Sequence, residues 1–455
     1  MVRLAPLNVV RWEPVQGGSD MARICVGRWA WLLVVALLAS MLALSACGGG
    51  EEEKEGTPQA TKAAGGTPSA GDTTGVTDTQ ILLGSHLPLS GLAAAWGVDL
   101  KAGMEAYFAY VNDNGGVYDR KIKLIVGDDQ YTGPMASEVT RKLVEQDKVF
   151  AMMGGLGTQA QSAVWKYLEA NGVPDMFLLT GETKFTDPVV KSRFGFLVDY
   201  LTEAKILGKY VADNFAGKKL GIIAQNDEFG HEGEQGIREG VKDANMEIFV
   251  EYYEETQSDL IAQVQRLKNE NVDVIAAYTM PIQVASAIKG AHETLGWNVP
   301  IVITGVDAVE VVAQLAGLNN IEGTVSVVFG HQVFEKDVPG IAKHWDIMAK
   351  YAPGVKPTNL TLVGATIAEA MTKILQETGP DLTREKFLDT AESLCGWMSA
   401  SAMVPSNVSP TDHRPVEVEI YVRATVDRST DPPTFTWQPF GEPFGFESTP
   451  KCPEE

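Results

Sequence analysis

The sequence predicts an α/β protein of two units, each a mainly parallel sheet flanked by helices. Three observations support this prediction. From residue 81 onward, short apolar runs alternate with amphipathic segments. The runs are almost continuously apolar, as in strands that are covered on both faces. A chain of 455 residues, 45% of them hydrophobic, is also long enough to form two cores.

The first unit is predicted to follow the order βαβαβ. A strand starts at Ile81 (ILLGSHLPL), and apolar residues at helical spacing predict a helix over residues 97–112. The strand IKLIVGDD comes next and leads into a helix that begins near Met135. The strand FAMMGGLG precedes a helix that starts after Thr158 and ends at the Asn-Gly pair 171–172.

The same alternation resumes in a second unit. The strand KLGIIAQND is followed by a helix around residues 232–244, the strand MEIFVEYYEE, a helix near residues 260–270 and the strand VDVIAAYTM. Parallel sheets bind ligands at the loops beyond the carboxyl ends of their strands. The loops to consider are therefore GDDQYTG, GGLGTQ, LLTGET and NDEFG.

The N-terminal segment has the pattern of an export signal. An uncharged apolar run over residues 29–46 follows Arg23 and Arg28 and ends in Leu-Ser-Ala before Cys47. Small residues before a cysteine resemble the lipobox of bacterial lipoproteins, in which the thiol is acylated. The alternative is an uncleaved membrane helix, since the run is near the lower length limit for spanning a bilayer. Because the residues before Met21 do not resemble a signal, we expect translation to start at Met21.

These patterns divide the N-terminal part of the chain. Residues 1–47 are predicted to be a signal peptide with a lipobox that ends at Cys47. Residues 48–76 contain almost no large apolar residue and are predicted to be a flexible tether. We therefore expect an extracytoplasmic protein that is held at the membrane by a lipid anchor.

Composition excludes some partners and cofactors. The formal net charge is −22, so the chain has no surplus of lysine and arginine to displace counterions from a nucleic acid. The four cysteines, at positions 25, 47, 395 and 452, lack the paired spacing of a zinc ribbon. We expect no nucleic-acid partner, no metal and no other cofactor.

No catalytic motif is recognisable in the sequence. It contains no GxSxG elbow, no HExxH motif and no P-loop lysine motif. The pair His231-Glu232 is more typical of a solvated surface than of a metal site. The pair Asp128-Asp129 is interpreted as capping backbone amides at a helix start rather than as a catalytic dyad. The sequence therefore predicts a protein that is not an enzyme, and an exported hydrolase is disfavoured.

Several motifs together resemble the branched-chain amino-acid-type substrate-binding proteins of ABC importers, the Leu/Ile/Val-binding protein family. The similarity extends from about residue 81 to residue 442. The motifs that carry it are PLSGLAAAWG, VNDNGGVYDRKIKLIVGDD, GGLGTQAQSAVWKYLEANGVP, QNDEFG and SPTDHRP. The resemblance implies the two-lobed type I periplasmic-binding-protein fold with three hinge crossings. Residues 77–198 and 330–411 would form lobe 1, and residues 199–329 and 412–447 would form lobe 2.

The resemblance also implies a function. The protein would capture a small carboxylate, foremost an amino acid of the branched-chain type, and deliver it to an ABC permease. Two alternatives remain open, an aromatic or other non-amino carboxylate as ligand, and a sensor that passes lobe closure to a signalling partner. The protein is expected to be a monomer.

The family's ligand-binding positions fall on particular residues of this sequence. Lobe 1 would hold the ligand carboxylate through the loops GGLGTQ and LLTGET, which contribute Thr158, Gln159, Thr180, Gly181 and Thr183. A hydroxyl and free amides at a helix start suit a carboxylate, although Thr158 could also cap its own helix. Trp96 matches an aromatic position that stacks on the ligand, with ordinary packing as the alternative.

Two further positions concern the ligand's amine. Phe229 stands where amino-acid binders commonly have a tyrosine, so the aromatic wall is kept without its hydroxyl. Asp307 falls near the acid that faces a ligand ammonium in amino-acid binders, because a buried ammonium needs such a partner. The alternative is that Asp307 caps the helix that follows it.

Cys395 and Cys452 are candidates for a disulfide in an oxidising exterior. Some family members carry a different cysteine pair, which is missing here from the DDQYTG and GGLG loops. We expect mass spectrometry of the unreduced mature protein to find both cysteines bonded. Two free thiols in that experiment would exclude the disulfide.

Overall fold

Two sheets organise the described part of the chain. The computed structural model describes residues 71–445, which lie in one compact unit. The predicted signal peptide, the lipidation site Cys47, most of the tether and Cys452 lie outside the described residues, so the disulfide with Cys395 stays a prediction. Within residues 71–445, no helix is both long enough and apolar enough to span a membrane.

The first sheet has five strands, all parallel, in the order β2-β1-β3-β4-β5. Its strands alternate with helices along the chain, as the apolar runs predict. The strands are β1 (Gln80–Leu87), β2 (Lys121–Asp128), β3 (Ala151–Met153), β4 (Asp175–Leu178) and β5 (Arg193–Gly195).

Three helices connect the strands of the first sheet. They are α1 (Ala94–Asp113), α2 (Gly133–Arg141), which continues into a π-helical turn at Lys142–Gln146, and α3 (Thr158–Ala170). The helix predicted over residues 97–112 is confirmed as α1, which starts three residues earlier. Its apolar residues at helical spacing, Leu100, Met104 and Phe108 among them, are buried against the core.

The second sheet has seven strands in the order β14-β13-β10-β9-β8-β6-β7. The five strands from β6 to β10 are parallel, whereas β13 is antiparallel to β10 and pairs with β14 as an antiparallel ribbon. The strands are β6 (Lys219–Gln225), β7 (Glu247–Tyr253), β8 (Val274–Tyr278), β9 (Ile301–Ile303), β10 (Val325–Val328), β13 (Glu419–Asp427) and β14 (Thr434–Phe444).

The helices of the second unit follow the predicted order with one shift. The helix predicted around residues 232–244 begins four residues earlier, because the Asp227 side chain accepts a hydrogen bond from the Gly230 amide and caps the helix there. The helices are α4 (Tyr200–Phe215), α5 (Glu228–Val241), α6 (Ile261–Asn269), α7 (Pro281–Lys289), α8 (Glu310–Ala316) and α9 (Leu318–Ile321).

The described chain crosses between the two sheets three times. It leaves the first sheet after β5 and returns from the second after β10, and the last crossing leads into β13. The segment between the second and third crossings contains α10 (Pro339–Tyr351), α11 (Asn359–Thr378), α12 (Arg384–Ala391) and the short strands β11 (Cys395–Trp397) and β12 (Ser406–Asn407). Helices α10 and α11 pack against α1 and so complete the first unit.

Two glycines allow α1 and α11 to approach closely. A Cβ added at Gly103 of α1 would lie 2.0 Å from the carbonyl oxygen of Thr361, and one added at Gly364 of α11 would lie 2.1 Å from that of Leu100. Each contact involves backbone in a helix, which cannot move aside as the end of a side chain can. The packing of this helix pair therefore depends on both glycines.

We expect Gly103→Ala and Gly364→Ala each to lower the free energy of unfolding by about 1–3 kcal/mol, because the added methyl group forces the helices apart. Chemical denaturation measures this change. Gly290→Ala is the matched control, since the nearest atom to its added Cβ would be a side-chain carbon of Ile261 at 3.2 Å, and backbone comes no closer than 3.7 Å. A loss of stability no larger than in the control would contradict the close-contact interpretation.

Candidate functional site

The carboxyl ends of the two sheets face each other across a cleft. Ser162 of α3 donates a 2.9 Å hydrogen bond to Glu228 of α5, and the Tyr131 hydroxyl lies 3.5 Å from the Met280 sulfur. Lys184 forms an ion pair with the same Glu228 carboxylate. The loops singled out from the sequence therefore meet at one place, as expected for parallel sheets.

Two threonine hydroxyls lie together on the first side of the cleft. The Oγ1 atoms of Thr158 and Thr180 are 2.7 Å apart, and both side chains are buried. Thr158 is the first residue of α3, and its side chain does not cap that helix. Burial raises the pKa of the neighbouring Tyr200, while hydrogen bonds from Thr180 and Thr158 oppose this rise. The three hydroxyls form a cluster that could bind a carboxylate.

The other predicted residues of the first side have different surroundings. Gly181 is buried, and a Cβ there would lie 2.5 Å from the Val198 carbonyl oxygen at the first crossing. The side chain of Gln159 is exposed. The amide and hydroxyl of Thr183 donate to the Glu232 carboxylate. The structure therefore groups Thr158 with Thr180 and places Gln159 and Thr183 outside that pair.

Phe229 belongs to a buried aromatic cluster. Its ring centroid lies 4.9 Å from that of Tyr200 and 4.9 Å from that of Tyr278. Phe229 itself is buried, so its ring packs against these two tyrosines, and its role as an aromatic wall for the ligand stays a prediction. Tyr278 was not singled out from the sequence, although its place at the end of β8 indicates a position at the cleft edge of the sheet.

Asp307 is a buried acid with one unused oxygen. Its Oδ2 accepts a 2.8 Å hydrogen bond from the Thr279 hydroxyl, and its Oδ1 has no hydrogen-bond partner among residues 71–445. It does not cap the following helix, whose N-cap is Val309. Burial raises the pKa of Asp307 well above its usual range. Such a group favours either a proton or a cation beside it.

Trp96 separates two cavities in the cleft. Its side chain is 7% exposed, and its Nε1 has no hydrogen-bond partner among the described residues. On one side lies the hinge cavity, which extends from Leu179 past Val306 to Phe329 near two of the crossings. On the other side lies the mouth cavity, lined by Tyr131, Gln225, Glu255, Met280 and Gln283 among others.

The two cavities of the cleft are lined by acidic side chains and, among the described residues, by no lysine or arginine. Glu203 lines the hinge cavity and Glu255 the mouth cavity. Burial, with a smaller contribution from Asp227, raises the pKa of Glu255 to about 7. Burial also raises the pKa of Glu203, so both acids favour their neutral form in the folded chain.

Tyr131 is a cleft residue that was not singled out from the sequence. It follows Gln130, and both residues have left-handed backbone, with φ of 61° and 53°, which is strained for residues other than glycine. The Asp129 carboxylate stabilises this turn by accepting a 2.8 Å hydrogen bond from the Tyr131 amide. The tyrosine ring packs over Gly157, where an added Cβ would lie 2.5 Å from it.

A chain of buried polar groups lies beneath this turn. Asp129 also accepts from His86 Nδ1 at 2.8 Å, and His86 Nε2 lies 3.3 Å from Gln161 Oε1. Gln161 in turn donates to Asp175. Asp129 does not cap α2, whose N-cap is Thr132. Its carboxylate instead holds His86 and the turn at Tyr131, which is a structural role.

The pair His231-Glu232 is not a simple surface pair. The His231 ring is exposed and packs edge-on against Tyr252, with centroids 5.3 Å apart. Glu232 is partly buried because it accepts from Thr183 across the cleft. Among the described residues, no group of three or more His, Cys, Asp and Glu side chains is arranged to hold a metal ion.

Comparison with known proteins agrees with this architecture. A family model described as "Periplasmic binding protein" matches residues 80–428. A Leu/Ile/Val-binding protein homologue from Brucella abortus (strain 2308) is 27% identical over 206 residues, which are 44% of this chain and 54% of the relative. The chain therefore spans about half the length of the curated relatives it matches. An amino acid binding protein from Pseudomonas aeruginosa is 22% identical over 204 residues, 43% of this chain and 52% of the relative.

Solved structures share the fold. A branched-chain amino acid ABC transporter protein from Thermus thermophilus with bound valine superposes with a TM-score of 0.71 at 18% identity, covering 81% of this chain and 97% of its own. A fatty acid ABC transporter substrate-binding protein from Thermomonospora curvata gives 0.70 at 22% identity, covering 82% and 96%. These matches confirm the type I fold, and the resemblance to the Leu/Ile/Val-binding proteins is confirmed as well. With its model matched over most of the described residues, the chain belongs to the periplasmic binding protein family.

Proposed function

We propose that this protein is an extracytoplasmic binding lipoprotein that captures a small carboxylate, foremost an amino acid of the branched-chain type, for an ABC permease. The observation that carries the proposal is the unused, buried Oδ1 of Asp307 in the second unit, together with the Thr158–Thr180 hydroxyls in the first. A zwitterionic ligand would satisfy both. Its carboxylate would accept from the hydroxyls, and its ammonium would pair with Asp307.

The relatives support this proposal. Several of the curated relatives are named as Leu/Ile/Val-binding protein homologues, and another as an amino acid binding protein. Two of the solved structures are described with valine or isoleucine bound. The family itself is extracytoplasmic, and the predicted lipidation of Cys47 would hold the protein at the membrane after export.

A carboxylate without an amine is the second candidate. The hinge cavity favours it, because its wall is formed mostly by apolar side chains. One of the solved structures that share the fold is described as a fatty acid transporter protein. The two candidates differ in the role of Asp307, which pairs with the ligand only if an ammonium is present.

We propose that the two sheets are the cores of two lobes, with residues 77–198 and 330–411 in lobe 1 and residues 199–329 and 412–447 in lobe 2. The cleft between them would close on the ligand by movement at the three crossings. The hydrogen bonds of Glu232 with Thr183, and of Glu228 with Ser162 and Lys184, join the two sides. Such contacts favour the closed arrangement, so ligand affinity would depend on them.

Calorimetry with leucine and with 4-methylpentanoate, which is leucine without its amine, tests the proposal. We expect leucine to bind more tightly and Asp307→Asn to weaken leucine by about 30-fold or more, because the ammonium loses a buried partner. Glu369→Gln is the control, since Glu369 is a largely buried acid of α11 that accepts from the Ala400 amide and lines a separate cavity with Tyr107 and Lys343. Unchanged leucine affinity in Asp307→Asn would remove Asp307 from the site, and failure to bind any carboxylate would refute the proposed function.

The acid pair across the cleft makes stability depend on pH. Burial and the nearby Glu232 carboxylate raise the pKa of Glu182 from 4.5 to about 9. The folded chain thus keeps a proton that the unfolded chain releases, so stability falls as the pH rises from 4.5 towards 9. Because glutamine cannot ionise, we expect Glu182→Gln to raise the melting temperature by a few degrees at pH 8 and to change it little at pH 5.

Differential scanning calorimetry at the two pH values measures this effect. Glu138→Gln serves as the control, because Glu138 is an exposed residue of α2. Equal shifts at both pH values in Glu182→Gln would show that Glu182 does not hold a proton in the folded protein.

A further inference from the structure

Two acids, one from each side of the cleft, meet where the loop after β4 contacts helix α5. The Thr183 amide lies 3.2 Å from Glu232 Oε2, and the Thr183 hydroxyl donates to Glu232 Oε1. Glu182 directly precedes Thr183 in the chain. The contact that joins the two sides therefore brings a second carboxyl group up to Glu232.

The Glu182 carboxyl is placed so that a proton completes its contacts. Its Oε2 atom is buried and has no hydrogen-bond partner among residues 71–445. A protonated Glu182 donates a hydrogen bond to the Glu232 carboxylate, which already accepts from Thr183. Two adjacent carboxylates that are both partly withdrawn from water cannot easily both be ionised. Burial and repulsion therefore favour one proton held between the two acids.

The lysine of the same loop does not replace that proton. Lys184 forms an ion pair with Glu228 of α5, so its ammonium already has a carboxylate partner. Lys184 lowers the pKa of Glu182, but burial and the Glu232 carboxylate raise it by more. Glu228 itself adds a further negative charge close to Glu182.

The groups that face Glu232 from other elements do not supply a cation either. Asp199, the N-cap of α4, adds a negative charge near Glu232 and is itself paired with Arg414 at 3.2 Å. Tyr278 of β8 also faces Glu232, and burial raises the pKa of its hydroxyl well above 10, which keeps it neutral. The adjacent His231 is exposed and packs on Tyr252 instead.

Separation of the two sides would release the proton. In contact, Glu182 has a pKa of about 9, whereas its ordinary value is 4.5. Once the cleft opens, water reaches both carboxyl groups and their repulsion weakens, so the pKa returns towards the ordinary value. Between these two values the closed arrangement keeps a proton that the open arrangement loses. Closure is therefore most favourable below pH 4.5 and becomes less so as the pH rises towards 9.

We propose that Glu182 and Glu232 form a proton-dependent latch, so that the cleft takes up a proton when it closes on its ligand, holds the ligand tightly at acidic pH and releases it as the pH rises. This inference rests on the proposed function, since it assumes that closure of the cleft holds a ligand. It is independent of the shape of the ligand, because Glu182 lines neither the hinge cavity nor the mouth cavity.

Calorimetry with leucine at pH 7, in two buffers that differ in ionisation enthalpy, tests this proposal. The difference between the two heats gives the number of protons taken up on binding. We expect the native protein to take up about one proton more than Glu182→Gln, whose amide donates to Glu232 but cannot titrate. Glu255, whose pKa is about 7, lines the mouth cavity in both proteins, so its contribution cancels in this comparison.

The affinities give a second measurement in the same experiment. We expect Glu182→Gln to bind leucine about tenfold or more tightly than the native protein at pH 7, because closure no longer requires a proton. The difference should shrink at pH 5, where the native pair is protonated more readily. Damage to the structure would weaken binding and so cannot imitate this gain.

Matched variants complete the test. Glu138→Gln is the control, because Glu138 is exposed on α2, and it should keep the proton uptake and the affinity of the native protein. Glu232→Gln is a second variant should Glu182→Gln fail to fold. It keeps an oxygen for Thr183 but removes the negative charge beside Glu182, so it should lower the proton uptake.

The outcomes separate the inference from the proposed function. Leucine binding with equal proton uptake in the native protein and Glu182→Gln would overturn the latch while leaving ligand capture in place. Weaker binding by Glu182→Gln at pH 7 would overturn it as well. The same comparison is made with 4-methylpentanoate if only that acid binds. Failure to bind either compound would refute the proposed function, and the inference with it.

Discussion

The hydrogen-bonded chain of His86, Asp129, Gln161 and Asp175 determines where the first side of the cleft lies. These groups are buried in the first unit and link the carboxyl ends of β1 and β2, through α3, to the first residue of β4. Burial alone would lower the pKa of His86, yet the adjacent Asp129 raises it overall. A buried network of this kind is stable only when every member has a partner, so it fixes the loops above it.

The two sides of the cleft contribute different chemistry because they are built differently. On the first side, hydroxyls from two adjacent loops, those of Thr158 and Thr180, satisfy each other. On the second side, a loop after β9 leaves one oxygen of Asp307 without a partner. The first side is thus complete without a ligand, whereas the second leaves one acid unpaired.

Much of the fold could be predicted from the sequence, because continuous apolar runs and helical spacing report directly on burial. Helix α5 starts four residues before its predicted start, because the Asp227 side chain caps it there. Hydrophobic periodicity does not show such a local effect. Thr158 and Thr180 lie together because parallel topology brings strand ends to one edge of a sheet, and contact of either residue or of Phe229 with a ligand stays a prediction. The sequence did not single out Tyr131 or Glu255. Tyr131 reaches the cleft through a strained turn, and Glu255 lines the mouth cavity because the two sheets approach each other there. Neither feature leaves a local sequence pattern.

The packing of Tyr131 over Gly157 has a consequence for how this protein can vary. Gly157 has a φ of 101°, and the tyrosine ring fills the space that any side chain there would need. Residues 131 and 157 can therefore be substituted only together. A side chain at residue 157 becomes possible only in a protein that has a small residue at 131 and a different backbone at the start of α3, so homologues should exchange these positions together rather than one at a time.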